Sequence, residues 1–81
     1  MKTNSKRSVD AAANYIDSLY NEGKHSIFLQ TFDGEQYQGT ILEQEVHQYA
    51  PLKVFITLID HITSEYLSFD LSDVAIIQPV A

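Results

Sequence analysis

Cysteine is absent from this chain, and glycine and proline are scarce, with three glycines and two prolines in 81 residues. The lack of cysteine excludes a disulfide framework and a thiolate zinc site. No run approaches the roughly 20 apolar residues that span a bilayer. No signal-type apolar core of about 7–15 residues follows the basic start MKTNSKRS. We therefore expect a cytoplasmic protein that does not associate with membranes.

Basic residues are also few, and they are unevenly placed. The formal net charge is −6, and Lys2, Lys6 and Arg7 at the amino end leave only Lys24 and Lys53 for the rest of the chain. This distribution argues against general electrostatic binding of DNA, which relies on clustered Lys and Arg. We expect residues 1–7 to form a disordered basic tail that is either solvated or in contact with an anionic partner.

The length of 81 residues fits one small domain, which we place at residues 8–81. A chain of this size buries only a thin core, and this one has no disulfide to stabilise it. Self-association is therefore favoured, because contacts between copies would bury further apolar surface.

The stretch IFLQTFDGEQYQGTI, residues 27–41, predicts two strands joined by a tight turn. Ile27 and Leu29 share one face at the period of two that is typical of a strand. Asp33 and Gly34 mark the turn, because glycine accepts the positive φ of a tight reversal.

The side-chain faces of these two strands indicate the length of the turn. A three-residue loop over residues 32–34 sets Leu29 opposite Tyr37, whereas a two-residue loop would set Leu29 opposite Gln38. Only the longer loop keeps the apolar positions on one face, because a slip of one residue reverses every side chain. Gly39, inside the second strand, indicates a sharp bend or a close backbone approach, and a bend favours a small curved barrel.

An amphipathic helix is predicted before these strands, from about Val9 to Asn21, with Ser8 as its N-cap and Gly23 just beyond its end. The residues that form its apolar stripe are Val9, Ala12, Ala13, Ile16, Leu19 and Tyr20. Because a helix of this length is marginal on its own, we expect it to dock on an open end of the barrel.

Three more strands are predicted after the hairpin. The second strand is expected to run from Glu35 to about Val46, and a loop follows from His47 to Pro51. The later strands are expected at residues 53–59, 65–70 and 74–78, with a brief turn at 71–73. The expected fold is mainly β: an N-terminal α-helix followed by a small, strongly bent five-stranded antiparallel barrel.

This order of elements resembles the Sm-like family of Sm, LSm and Hfq proteins, over roughly Val9 to Val80. The most specific part is the first Sm motif, in which apolar alternation precedes a turn glycine, an aromatic or apolar residue, a second glycine and another apolar residue. The matching positions are Ile27, Leu29, Gly34, Tyr37, Gly39 and Ile41. The segment FDLSDVAII, residues 69–77, is similar to the end of the second motif, where a turn joins the fourth strand to the fifth.

The resemblance implies a ring of six or seven copies, in which the fourth strand of one copy pairs with the fifth strand of the next. Strand edges with few charges favour such head-to-tail pairing, which closes into a ring when the rotation permits. The expected interface residues are Tyr66, Leu67, Phe69, Val74, Ile76 and Ile77. The alternative is a monomeric SH3-like barrel whose edges are merely short.

The resemblance also implies binding of single-stranded RNA at the pore of the ring. The positions that correspond to the base-binding residues of the family are Glu45, His47 and Tyr49, and Gln48 lies between the last two. His47 would stack on a base, and Gln48 would form a hydrogen bond with one. The chain departs from the family where the second motif carries a basic residue, because Asp70 and Asp73 lie there and would repel phosphate. An acidic Sm-fold module for protein interaction or assembly, without RNA, is therefore the alternative function.

Patterns of enzyme chemistry are not found in this sequence. His25, His47 and His61 are far apart and lack the spacing of metal ligands. No serine has the surroundings of a nucleophile, and no glycine-rich phosphate loop occurs. We therefore expect a protein that is not an enzyme and that uses no metal or cofactor.

Overall fold

The computed structural model describes residues 9–80, which form a helix followed by five strands. The elements are α1 (Val9–Asn21), β1 (Ser26–Thr31), β2 (Gln36–Tyr49), β3 (Leu52–Asp60), β4 (Tyr66–Asp70), the 3₁₀ helix η1 (Leu71–Asp73) and β5 (Val74–Pro79). The brief turn predicted between the last two strands is thus confirmed, and it is a 3₁₀ helix. The predicted tail over residues 1–7 and the predicted N-cap Ser8 lie outside the described residues.

The five strands form one antiparallel sheet in the order β4-β3-β2-β1-β5. The predicted fold class, a helix followed by five antiparallel strands, is confirmed. The predicted barrel is not closed, because β4 and β5 do not pair with each other: the sheet is open, and these are its two end strands.

Helix α1 begins and ends where its apolar stripe predicts. Ala12, Ile16 and Leu19 are buried, and the helix packs against β3 and η1. Beyond its last turn, Gly23 has a φ of +77°, and the amide of Lys24 donates to the carbonyl of Leu19 at 2.9 Å. This is the Schellman ending that a glycine past the end of a helix favours.

The predicted three-residue turn between β1 and β2 is confirmed. Leu29 lies opposite Tyr37, as the odd spacing requires. The amide of Gly34 donates to the carbonyl of Thr31 at 3.0 Å, and the amide of Thr31 donates to the carbonyl of Glu35 at 2.9 Å. Gly34 has a φ of +90°, which a residue with a side chain rarely adopts.

Gly39 is the point of closest approach between neighbouring strands. It lies opposite Ile27 of β1 and Asp60 of β3. A Cβ atom at this position would lie 2.5 Å from the carbonyl oxygen of Ile59 and 2.6 Å from the Leu58 Cδ1 atom. The predicted close backbone approach is therefore confirmed, and only glycine fits here without a shift of the backbone.

Strand β2 is longer than predicted. It continues to Tyr49 and the turn takes only Ala50 and Pro51, so the predicted loop from His47 to Pro51 is wrong. Pro51 lies in the turn, where its missing N–H removes no hydrogen bond of the sheet. Two bulges, at Leu42 and His47, each set an extra residue of β2 against β3.

The core lies between α1 and the sheet, and η1 seals one end of it. Its buried apolar residues are Ala12, Ile16, Leu19, Ile27, Leu29, Ile41, Val54, Ile56, Leu58, Leu71, Val74 and Ile77. Within residues 9–80, no helix combines the length and apolarity that crossing a bilayer requires.

Candidate functional site

The four residues predicted to bind RNA lie on the second half of β2, where it pairs with β3. They are Glu45, His47, Gln48 and Tyr49. β1 pairs with β2 only as far as Thr40, so this part of β2 has β3 as its strand neighbour and extends beyond the rest of the sheet. We name the paired segment over residues 45–55 the outer ribbon.

The side chains of the outer ribbon differ in their contacts and in their exposure to solvent. The ring of His47 lies 4.5 Å from the ring of Phe55, with an interplanar angle of 43°. The amide nitrogen of the Gln48 side chain donates to the carbonyl of Ala50 at 3.0 Å. Tyr49 is 82% exposed. The ribbon therefore presents one open aromatic ring, while His47 and Gln48 already contact other parts of the ribbon.

The charge around the outer ribbon is mainly negative. Glu43 and Glu45 are exposed on β2. Lys53 lies opposite Gln48, and its Nζ atom is 3.9 Å from the Oδ2 atom of Asp70. Residues 9–80 contain two lysines and eleven carboxylates. A nucleic acid backbone would therefore meet little positive charge on this part of the chain.

The six residues predicted at a subunit interface lie on the two end strands. They are Tyr66, Leu67 and Phe69 on β4, and Val74, Ile76 and Ile77 on β5. Tyr66 is 71% exposed, whereas the other two residues of β4 are half-buried against the core. On β5, Val74 and Ile77 belong to the core. These two side chains are therefore part of the fold and are not exposed to a neighbouring copy.

One carboxylate caps the connection between the end strands. The Oδ1 atom of Asp70 accepts hydrogen bonds from the backbone amide and the hydroxyl of Ser72, both at 2.9 Å. The amide of Phe32, in the β1–β2 turn, donates to the carbonyl of Asp73 at 3.0 Å. These contacts place the β1–β2 turn beside η1.

A groove of about 530 Å³ opens between the β1–β2 turn, β3, β4 and η1. Its lining residues are Thr31, Phe32, Asp33, Glu35, Phe55, Ser68, Phe69, Asp70 and Asp73. It combines four carboxylates with three phenylalanine rings, and we name it the acidic groove. The sequence did not predict it, because its members come from four elements that only the strand order brings together. The one sign of it in the sequence was a pair of acidic residues at each of two turns.

Tyr37 lies beside the rim of the acidic groove. Its hydroxyl donates to the Oε1 atom of Glu35 at 3.3 Å, and its ring lies 4.9 Å from that of Phe69. Partial burial, and then the negative charge of Glu35, raise the pKa of Tyr37 above its ordinary value. The carboxylate that accepts the hydrogen bond thus also disfavours ionisation of the phenol.

No group of three or more potential metal ligands comes together among residues 9–80. The three histidines have separate surroundings. His25 stacks on Tyr20 with ring centroids 4.1 Å apart. The Nε2 atom of His61 forms a hydrogen bond with the Thr40 hydroxyl at 2.9 Å. His47 contacts Phe55 in the outer ribbon.

Comparison with known proteins adds no identity to this geometry. No family model matches the chain, and the searches of curated proteins and of solved structures find no match either.

Proposed function

We propose that this protein is a ring-forming module of the Sm type that assembles proteins, with β4 of one copy pairing with β5 of the next. The observation that carries the proposal is the strand order β4-β3-β2-β1-β5, which puts β4 and β5 at the two ends of an open sheet. Pairing between these strands continues the sheet from copy to copy, and such a head-to-tail interface closes into a ring when the rotation permits.

Two further features support this proposal. Strand β4 carries one charge in five residues, and its tyrosine is largely exposed. Natural proteins usually protect an end strand with charges or proline, because an unprotected one is a template for pairing. The negative charge of residues 9–80 favours protein partners over nucleic acid.

Light scattering on the purified chain tests the ring directly. One copy has a mass of 9.2 kDa, and we expect a particle of six or seven copies. Tyr66→Lys places a positive charge on the exposed face of β4, a common means of blocking edge pairing. We expect light scattering to give the mass of a monomer for this variant, and its circular dichroism spectrum should be unchanged.

Ile62→Lys is the matched control for this experiment. Ile62 is 88% exposed and lies in the turn between β3 and β4, outside every strand. The control adds the same charge to an equally accessible apolar residue and should keep the mass of the parent particle. A wild-type chain that remains a monomer at high concentration would contradict the ring.

Single-stranded RNA binding at the outer ribbon is the second candidate function. The observation that favours it is the exposed ring of Tyr49 beside Gln48, because proteins read unpaired bases by stacking and by contacts to base edges. Fluorescence anisotropy with short U-rich and A-rich RNAs at low salt tests it. Tyr49→Ala and His47→Ala should each weaken binding, while Ile62→Lys should not. Absence of binding at tens of micromolar protein would rule out RNA binding and leave protein assembly as the remaining proposed function.

A further inference from the structure

The charges of this chain are separated along the sequence. Residues 1–8 contain Lys2, Lys6 and Arg7 and no carboxylate. All eleven carboxylates lie within residues 9–80, together with two lysines. A short cationic segment therefore precedes a strongly anionic domain, and the assembly proposed above makes no use of the cationic segment.

The acidic groove is the concave site that fits such a segment best. The carboxylates of Asp33, Glu35 and Asp73 line it, and they come from two turns that one backbone hydrogen bond holds side by side. Among residues 9–80, the side chains of Asp33 and Asp73 form no hydrogen bond or ion pair. These two carboxylates are therefore available to a cation.

Three aromatic rings complete this groove. Phe32, Phe55 and Phe69 lie among its lining residues, and Phe32 is about half exposed. The face of an aromatic ring attracts ammonium and guanidinium groups, and the apolar stems of Lys and Arg pack on such rings. A groove that combines rings with carboxylates is suited to long cationic side chains rather than to a small metal ion.

One cation already lies at the edge of the groove. The Nζ atom of Lys53 is 3.9 Å from the Oδ2 atom of Asp70, and the lysine side chain is half-exposed. The four carboxylates of the groove thus have one lysine near them, and three remain without a positive partner among residues 9–80. The charge of the groove is complementary to that of the N-terminal segment.

We propose that the N-terminal segment, residues 2–7, docks in the acidic groove of its own chain. Eight extended residues reach up to about 26 Å, and the described domain measures 34 × 26 × 21 Å. The chain that carries the segment joins the described domain at Val9, on a helix that contacts η1, one wall of the groove. The tether raises the effective concentration of the segment well above that of free copies. The inference does not depend on ring formation.

A spin label on the segment tests this docking in the full chain. Because the chain has no cysteine, Thr3→Cys gives a single attachment site for a nitroxide. In a ¹⁵N-labelled sample, we expect the label to broaden the amide signals of residues 32–35 and 68–73. This broadening should weaken strongly at about 1 M salt, where charges are screened beyond about 3 Å.

Matched variants separate the groove from general acidity. Asp33→Asn with Asp73→Asn removes two groove carboxylates and should abolish the broadening. Glu43→Gln with Glu45→Gln removes two exposed carboxylates of β2 and should leave it unchanged. Lys6→Gln with Arg7→Gln should also abolish it. Circular dichroism of each variant checks that the fold is retained.

Several results would overturn the proposal. The first is no broadening, or broadening confined to residues outside the groove. The second is broadening that survives the Asp33→Asn and Asp73→Asn pair. The third is broadening that appears only when a spin-labelled, unenriched chain is mixed with a ¹⁵N-labelled chain lacking the label, since the segment would then dock on another copy.

Discussion

The two halves of β2 have opposite surroundings, although they belong to one continuous strand. The first half, residues 36–41, pairs with β1 as far as Thr40 and with β3 from Gly39 onwards, and it contributes the buried Ile41 to the core. The second half, residues 42–49, has β3 as its strand neighbour, and all but one of its residues are exposed. The first half therefore stabilises the fold, while the second is available for contacts with other molecules.

The largest effect that separates the two halves is expected at Ile41. Ile41 is 3% exposed, whereas Val46, on the second half, is 45% exposed. We expect Ile41→Ala to lower the free energy of unfolding by about 2–5 kcal/mol, because it leaves a cavity in the core. The matched Val46→Ala should cost about 0.5 kcal/mol. Urea unfolding followed by circular dichroism measures both, and equal losses would remove the contrast.

Gly39→Ala should have the next largest effect. The added Cβ would lie 2.5 Å from a backbone oxygen of β3, which cannot move without separating the two strands. We expect a loss of about 1–3 kcal/mol, as for an overpacked core. Gln38→Ala, at the exposed neighbouring position, is the control and should stay within about 0.5 kcal/mol. A stable Gly39→Ala variant would mean that β2 and β3 separate easily.

The smallest effect on stability is expected at Tyr49. Because its side chain is 82% exposed, Tyr49→Ala should change the free energy of unfolding by no more than about 0.5 kcal/mol. The same substitution should weaken RNA binding if the outer ribbon binds bases. A large loss of stability would show that the tyrosine packs on the fold, and it would assign the second half of β2 to the structure.

Local pattern predicted much of this fold. The bounds of α1 followed from its apolar stripe and from Gly23, because both act within a few residues of the helix end. The three-residue turn followed from the faces of Leu29 and Tyr37, because strand alternation leaves only one parity of loop. Gly39 was predicted to mark a close backbone approach, although the sequence did not show which carbonyl lies next to it.

The failures occurred where chain segments meet or where a strand is irregular. The loop predicted from His47 to Pro51 was wrong because bulges at Leu42 and His47 let β2 continue past the point where its alternation breaks. The acidic groove was missed because the β1–β2 turn and η1 are about 40 residues apart in sequence, and a hydrogen bond from Phe32 brings them together. Local periodicity carries no information about such a meeting.

The extra residue at position 47 shifts the alternation of side chains along β2 by one residue. Downstream of it, each side chain takes the side of the ribbon that its predecessor would otherwise have taken. A regular strand of the same sequence, without this bulge, would present Tyr49 on the reverse side. The bulge in the strand therefore decides which molecules can reach this tyrosine, as much as the chemistry of its ring does.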